Sequence, residues 1–406
     1  MNAANTAFVL VSAALVLFMT PGLALFYGGM VRGKNVLGTL MQNFILIALI
    51  GVQWALFGYT LAFGPTLNGI IGSLDWVGLA GVGAEPFKAY SETIPHGAFM
   101  VFQMMFAIIT PALITGAWAE RLKFSSFLIF ILLWATLVYD PIAHWVWGDG
   151  GWLKGLGALD FAGGTVVHIN AGVAALAAVL VMGKREGYGK EAFIPHNLPM
   201  TVLGAGILWF GWFGFNAGSA LAADGLGTSA FVATQLGASA ATLSWCATEW
   251  IFRGKPTTLG VASGAVAGLV AITPAAGFVG PMSAILIGLG AGFLCYLAVL
   301  AKPKLGYDDS LDVVGVHGVG GIWGALATGL FASKAINSAG ADGLFFGNPA
   351  QLGIQFVAVL TTVVYSFVLS WILLKIVDAI FGLRVAREDE VAGLDLTEHQ
   401  EAGYSL

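Results

Sequence analysis

Runs of about 20 apolar residues, each long enough to cross a hydrocarbon layer of roughly 30 Å as a helix, recur from one end of this 406-residue chain to the other. Inside lipid every backbone N–H and C=O has to be satisfied by the segment or its neighbours, so such runs fold as helices packed against one another. Only 10% of the residues are charged, against about 25% in soluble domains. The runs fall at residues 6–31, 38–63, 96–118, 124–146, 161–183, 199–220, 228–252, 258–276, 280–300, 313–333 and 350–380. Between 258 and 300, the division into two helices rests on Thr273, Pro274 and the small residues around Gly277 and Gly280.

Lys and Arg collect on cytoplasmic loops, which tests this count. With the N-terminus outside, eleven spans place Arg32, Lys34, Arg121, Lys123, Lys184, Arg185, Lys190, Arg253, Lys255, Lys302, Lys304, Lys375, Arg384 and Arg387 inside, and only Lys88, Lys154 and Lys334 outside. A missed or surplus span would break that alternation. The expected fold is an all-α membrane protein of eleven transmembrane helices, N-terminus outside and C-terminus inside. The residues before Phe8 carry no basic segment and no small-residue cleavage site follows, so the first span is read as a retained helix.

Beyond Gly382 the chain turns polar and acidic. Two regions are expected: a transmembrane transport domain, residues 1–382, and a cytoplasmic regulatory tail, residues 383–406. The other sizeable hydrophilic connection, 64–95, leaves no room for a nucleotide-binding or catalytic domain, and no G-x-x-x-x-G-K-[ST] loop occurs, which disfavours an ATP-driven pump. No enzyme activity, cofactor, metal or nucleic-acid partner is expected. Cys246 and Cys295 lie in spans without ligand spacing and read as small buried hydrophobes. Glycine makes up 57 residues, about twice the usual share, and Gly260, Gly264 and Gly268 repeat every four residues, a spacing that lets helices pack closely in lipid.

Six histidines are present, and only His168 and His317 lie well within spans. Ionisable groups inside a membrane are functional candidates by default. The stretches that hold them, DFAGGTVVHINAG at 160–172 and DVVGVHGVGG at 312–321, echo one another: an acid, a Val-His pair, and a Gly four residues beyond the His. They fall on the fifth and tenth spans, and an offset of five reverses direction, as in transporters built from inverted repeats. The expected plan is therefore an inverted 5+5 repeat plus a final helix. Two imidazoles without a neighbouring Cys or carboxylate form an incomplete zinc set, but they can share a proton and present ring edges to a small polar solute.

Aromatic residues cluster towards the outer ends of the same spans. Phe102 and Phe106 are four apart on one helix face, which by itself reads as packing. Trp145 and Trp147 read as interfacial belt residues. Trp212, Phe215 and Ser219 lie in GWFGFNAGS, where rings beside a hydroxyl are suited to a small cation. Asp160 is placed to cap the fifth helix, and Asp312 to act similarly near the inner end of the tenth.

Together these residues resemble the Amt/Mep/Rh family of ammonium transporters, bacterial Amt proteins in particular. The likeness runs through DFAGGTVVHINAGVAALAAVLVMGKR, FYGGMVRGKN, GAWAERLKFSSFLIF, KEAFIPHNLPM, GWFGFNAGSA, DVVGVHG and the tail's GLRV and GLD, covering nearly the whole chain. The resemblance implies a homotrimer in the cell inner (plasma) membrane with one pore per subunit, among membrane lipid. It implies an external ammonium site of Phe106, Trp147 and Ser219 supported by Asp160, a stacked gate of Phe106 and Phe215, and a pore lined by Trp212, Phe102 and the twin histidines His168 and His317. Ammonium or ammonia, with methylammonium, would be the substrate, and a cytoplasmic PII-family signal protein the partner of the tail. The alternative is an ammonium sensor that signals through the tail. A carbon dioxide channel, as for some Rh relatives, fits Trp147 and Ser219 less well.

Overall fold

A computed structural model describes residues 1–404. Helices occupy every apolar run: α1 Ala3–Met30, α2 Gly33–Phe63, α3 His96–Trp118, α4 Phe124–Leu156 and α5 Gly164–Met182, then α6 Leu198–Ala220, α7 Gly225–Arg253, α8 Thr258–Ile272, α9 Pro281–Leu305, α10 Val314–Phe331 and α11 Pro349–Phe381. Among the described residues, nine of these are long and apolar enough to cross a membrane. The two others fall short for different reasons. Helix α7 has 29 residues but carries Thr, Ser and Gln along its length, and α8 is apolar but only 15 residues long. Among the described residues the strands are confined to a short hairpin, Thr66–Leu67 against Ile71–Gly72, in the loop after α2.

The helices pack as one bundle, α1 along α6 and α7 along α8 and α9. At its centre α5 crosses α10. A Cβ on Gly172 would lie 2.2 Å from the Gly318 nitrogen, and one on Gly321 would lie 3.0 Å from the His168 Cβ. The glycine four residues beyond each histidine is therefore what allows the two backbones to touch. Each histidine sits on a wide i→i+5 helical turn, Gly164–Ile169 and Val314–Val319, a local irregularity that often marks functional positions.

Ion pairs fasten the ends of the same two helices together. Arg185, three residues past α5, donates to both carboxylate oxygens of Asp308, six residues before α10, at 2.8 and 2.9 Å. Its other arm reaches Glu120 at 3.3 Å, and Glu120 also binds Arg32 at 2.8 Å. The buried Arg121 donates to the Asp308 carbonyl at 2.7 Å. Burial alone would raise the carboxyls of Glu120 and Asp308, but the Arg185 guanidinium outweighs it and holds both below their ordinary values.

The tail folds back onto this face. Its helices α12 Arg387–Ala392 and α13 Leu394–His399 are held where Asp395 accepts from Gly38 N at 2.8 Å, Glu398 from Phe124 N at 2.9 Å, and Glu390 from Arg384 at 2.7 Å. Lys34 caps the end of α12 through the Val391 carbonyl.

Because their folded pKa values lie below the unfolded ones, Glu120 and Asp308 stabilise the fold fully at neutral pH and lose that contribution only as pH falls through the folded values, below about 4. Arg185→Gln strips the bidentate partner from the buried Asp308, leaving it only Arg121 at 3.8 Å, and removes one of the two partners of Glu120, so a loss of about 3 kcal/mol is expected. Thermal unfolding in detergent from pH 4 to pH 8 checks this: the variant should melt well below wild type at pH 7, with the gap narrowing towards pH 4 as the stranded acids protonate.

Candidate functional site

Three cavities lie in series through the bundle, joined at aromatic and histidine side chains. The outer one, of about 160 Å³, is lined by Phe106, Trp147 and Ser219 together with Gln103, Tyr90, Phe161 and Lys154. The middle one, of only about 10 Å³, lies between Phe215, Trp212, His168 and His317 within an otherwise aliphatic wall that includes Leu23, Leu113 and Val167. The inner one, of about 170 Å³, begins at His317 and is lined further by Tyr27, Trp245, Tyr296, Glu249 and Asp312.

The outer cavity is assembled around α5's N-terminus. Asp160 is buried, and its carboxylate accepts the backbone N–H groups of Gly163, Gly164 and Thr165 at 2.8, 2.6 and 2.8 Å, and the Thr165 hydroxyl as well. Its oxygens are thus committed to the helix end, whose unpaired N–H groups they satisfy. The Asp160 carbonyl in turn accepts the Trp147 indole N–H at 2.9 Å. Asp160 therefore fixes the ring of Trp147 and the start of the histidine-bearing helix at once.

Ser219 donates its hydroxyl proton to the Phe215 carbonyl at 2.9 Å, so its oxygen faces the cavity as an acceptor. Gln103 adds a second acceptor: its Oε1 is buried, has no partner among the described residues, and belongs to a cavity-lining side chain. Sequence reasoning passed over Gln103 because it sits inside FQMMF, where the flanking rings draw the attention; a lone amide among apolar neighbours was the available signal.

Below this cavity Phe106 meets Phe215 with ring centroids 4.3 Å apart and planes tilted by 40°. The two rings expected to form a stacked gate meet at an inclination between the outer and middle cavities. Phe102 packs edge-on against Phe106 at 5.0 Å and lies outside the lining of all three cavities. It backs the Phe106 ring from the same helix face, packed where Gly218 of α6 comes close to it.

Past the phenylalanines, the His168 ring stacks on Trp212 at 5.4 Å and on His317 at 5.3 Å. The two histidine Nδ1 atoms are 3.3 Å apart. One of the two must carry the proton of that contact, and moving it across leaves both rings neutral only if a second proton arrives at the donor's Nε2 while the acceptor releases its own Nε2 proton. His168 Nε2 has no partner among the described residues. The Trp212 indole is fixed by Thr273 Oγ1 at 2.8 Å.

The acid at α10 is a different residue from the one the sequence echo pointed to. Asp312 has a left-handed backbone, φ +64°, and pairs with Lys302 at 2.5 Å. Asp309 is the one that caps, accepting from Val314 N at 2.8 Å, and it stands eight residues before His317 as Asp160 stands eight before His168. The cap is only half made, because Asp309 Oδ1 has no partner among the described residues. Burial pushes its carboxyl up to about 6, against the pull of Lys302.

A bundle of apolar helices around a narrow, histidine-bearing conduit defines a multi-pass membrane protein with a path for a small solute. The chain belongs to the Ammonium Transporter Family, whose family model matches residues 7–404. It is 55% identical over 405 residues to the ammonium transporter of Bacillus subtilis (strain 168), covering 100% of this chain and 99% of that one. It is 49% identical to ammonium transporter Amt1 of Archaeoglobus fulgidus, covering 100% of both chains. Among solved structures it is similar to Candida albicans Mep2, with 37% identity, a TM-score of 0.90, and coverage of 96% of this chain and 87% of that one. It is similar also to a protein titled Sensor Amt Protein, with 31% identity, a TM-score of 0.90 and 98% coverage of both chains.

Replacing Asp160 by Ala takes the carboxylate acceptor from four backbone donors at α5's N-terminus, those of Gly163, Gly164, Thr165 and Val166, and from the Thr165 hydroxyl. A loss of about 2 kcal/mol or more in stability is expected, read as a lowered melting temperature of the purified protein. An unchanged melting temperature would show that the cap is dispensable.

Proposed function

We propose that this chain is an ammonium transporter that recruits ammonium in the outer cavity, removes a proton near Phe106 and Phe215, and conducts ammonia past His168 and His317. The observation that carries this reading is the serial arrangement of an acceptor-and-aromatic cavity, a closed phenylalanine contact and a histidine-flanked constriction. Ammonium offers four N–H donors and a positive charge. Ser219 and Gln103 offer oxygens, and Phe106 and Trp147, 5.7 Å apart and edge-on, offer ring faces for cation–π attraction. Asp160 acts on the site by fixing Trp147.

Magnitudes decide between carrying the cation and carrying the base. With the Lys ammonium as a stand-in, removing a proton at neutral pH costs roughly 4–5 kcal/mol. Moving a bare cation into a medium of low dielectric costs on the order of 20 kcal/mol by the idealised Born estimate. The middle cavity has no carboxylate and no ring of carbonyls to replace a hydration shell, unlike potassium filters. Potassium has no proton to lose and is refused by the same geometry. The histidine pair supplies a separate route for the proton.

In this reading all eleven helices cross the membrane, N-terminus outside and C-terminus inside, in the inner (plasma) membrane. Short α8 crosses where other helices shield it, and α7 turns Phe231, Leu243 and Ile251 outward. Helices α1–α5 and α6–α10 form the inverted halves, supported by the Asp eight residues before and the Gly four residues after each histidine, and α11 completes residues 1–382. Three subunits assemble, each with its own path. The tail, 383–406, regulates the cytoplasmic exit and meets a PII-family protein; its docking beside the Arg185–Asp308 contact supports a link between tail and pore. The second reading, a sensor acting through that tail, has one specific support in the similarity to the Sensor Amt Protein.

Ammonium and methylammonium uptake into proteoliposomes separates these readings. Wild type should transport both, whereas Trp147→Leu combined with Ser219→Ala should raise the half-saturation constant about tenfold or more, from the lost cation–π and hydrogen-bond contributions. Binding of ammonium without any flux would favour the sensor.

A further inference from the structure

The outer cavity has a feature that a cation site would not be expected to tolerate: its one charged lining residue is a lysine. Lys154 lies on the turn of helix Trp152–Leu156, which follows the break at 148–151 in α4. Its Nζ donates to the Trp147 carbonyl at 3.3 Å and stands 6.0 Å above the Tyr90 ring. The ion pairs among the described residues leave Lys154 out. Asp149 acts on it only from a distance, and the carboxylate of Asp160 is buried and occupied by α5's N-terminus.

A lysine head group is a primary alkylammonium, R–NH3+. It has the charge, the N–H donors and the affinity for aromatic faces and carbonyls that the outer cavity is suited to recognise. Held on its tether against Trp147 and Tyr90, it already uses the kind of contact that an incoming ammonium needs, and its charge repels that ammonium in the bargain.

We infer that Lys154 is an affinity-determining residue of the outer cavity, a tethered alkylammonium that weakens recruitment of ammonium by charge repulsion and by competing for the aromatic rim. This rests on the outer cavity being the ammonium site. It explains why a lysine stands on the outer face, where few do, and why it has no acidic partner: a pairing carboxylate would cancel its field and attract cations. For two unit charges about 6 Å apart in a water-like dielectric, the repulsion corresponds to about a threefold change in affinity. It is screened once the Debye length falls below that separation, at about 0.5 M salt.

The test uses the full-length protein in proteoliposomes and in detergent, comparing wild type with Lys154→Met, which keeps length without charge, and Lys154→Arg, which keeps charge. Two quantities are measured at about 10 mM and about 0.5 M sodium chloride: the half-saturation constant for ammonium uptake, and ammonium binding by calorimetric titration. The expected result is a half-saturation constant about threefold lower in Lys154→Met at low salt, matched in binding, with the difference largely erased at high salt and the wild-type value retained in Lys154→Arg. A constant that is unchanged or higher in Lys154→Met, or a change that ignores salt, would overturn the inference and leave Lys154 as a prop for the Trp147 carbonyl. If wild type binds ammonium but moves none, transport fails as a reading while the binding comparison still decides the role of Lys154.

Discussion

A methyl group on Gly172 would come within 2.2 Å of the Gly318 nitrogen. The contact of α5 with α10 at that point is what the rest of the structure depends on, because it brings two histidines 149 residues apart in sequence to 3.3 Å. With any larger residue the helices separate, the rings part, and the constriction opens to a width that could hold water. Small residues at helix crossings are the general device for close approach in lipid; here the device sets the distance between two imidazoles. The Arg185–Asp308 pair then fastens the inner ends of the same helices, and Asp160 and Asp309 fix their starts.

The two caps are not equivalent. Asp160 is satisfied on both oxygens, while Asp309 keeps one free and its carboxyl sits near 6. The outer half of the conduit is therefore built on an acid whose two oxygens are both committed to the helix end, and the inner half on one that keeps an oxygen without a partner among the described residues. Phe106 and Phe215 meet between the outer and middle cavities, so on the proposed function what enters the narrow part sheds its hydration first. On that proposal the preference for a neutral species is an outcome of shape and dielectric, without any selective cation cage.

Much of this was legible in the sequence, for reasons particular to each element. Every apolar run became a helix, because in lipid the backbone leaves no alternative. Helices α7 and α8 were read as apolar runs, the loop charges testing the count and Thr273 and Pro274 dividing α8 from α9, although composition and length leave them below the other nine. The histidines could be singled out as ionisable groups in apolar spans, but counting rise along two helices cannot show that their rings meet; that depends on the crossing at Gly172. The acid at α10 was misplaced because the echo was aligned on Asp312, the nearer one, when the eight-residue spacing of Asp160 from His168 pointed to Asp309. Phe102 and Phe106 share a helix face in projection, and only the packing of α6 determines which of them meets the path. Lys154 was counted as a marker of topology, since nothing in its neighbours shows that a break at 148–151 turns it into the outer cavity.

On the proposed function, ammonia passes the histidine constriction while its proton takes a separate route and potassium is refused. The measurement that tests it most directly is the current across supported membranes after a jump in ammonium or in potassium, for wild type and for His168→Ala combined with His317→Ala. The account predicts an ammonium current and no potassium current in wild type, with the ammonium-specific signal lost, or replaced by unselective current, in the double variant. Equal currents for ammonium and potassium in wild type would contradict it, because the path would then be carrying the cation whole.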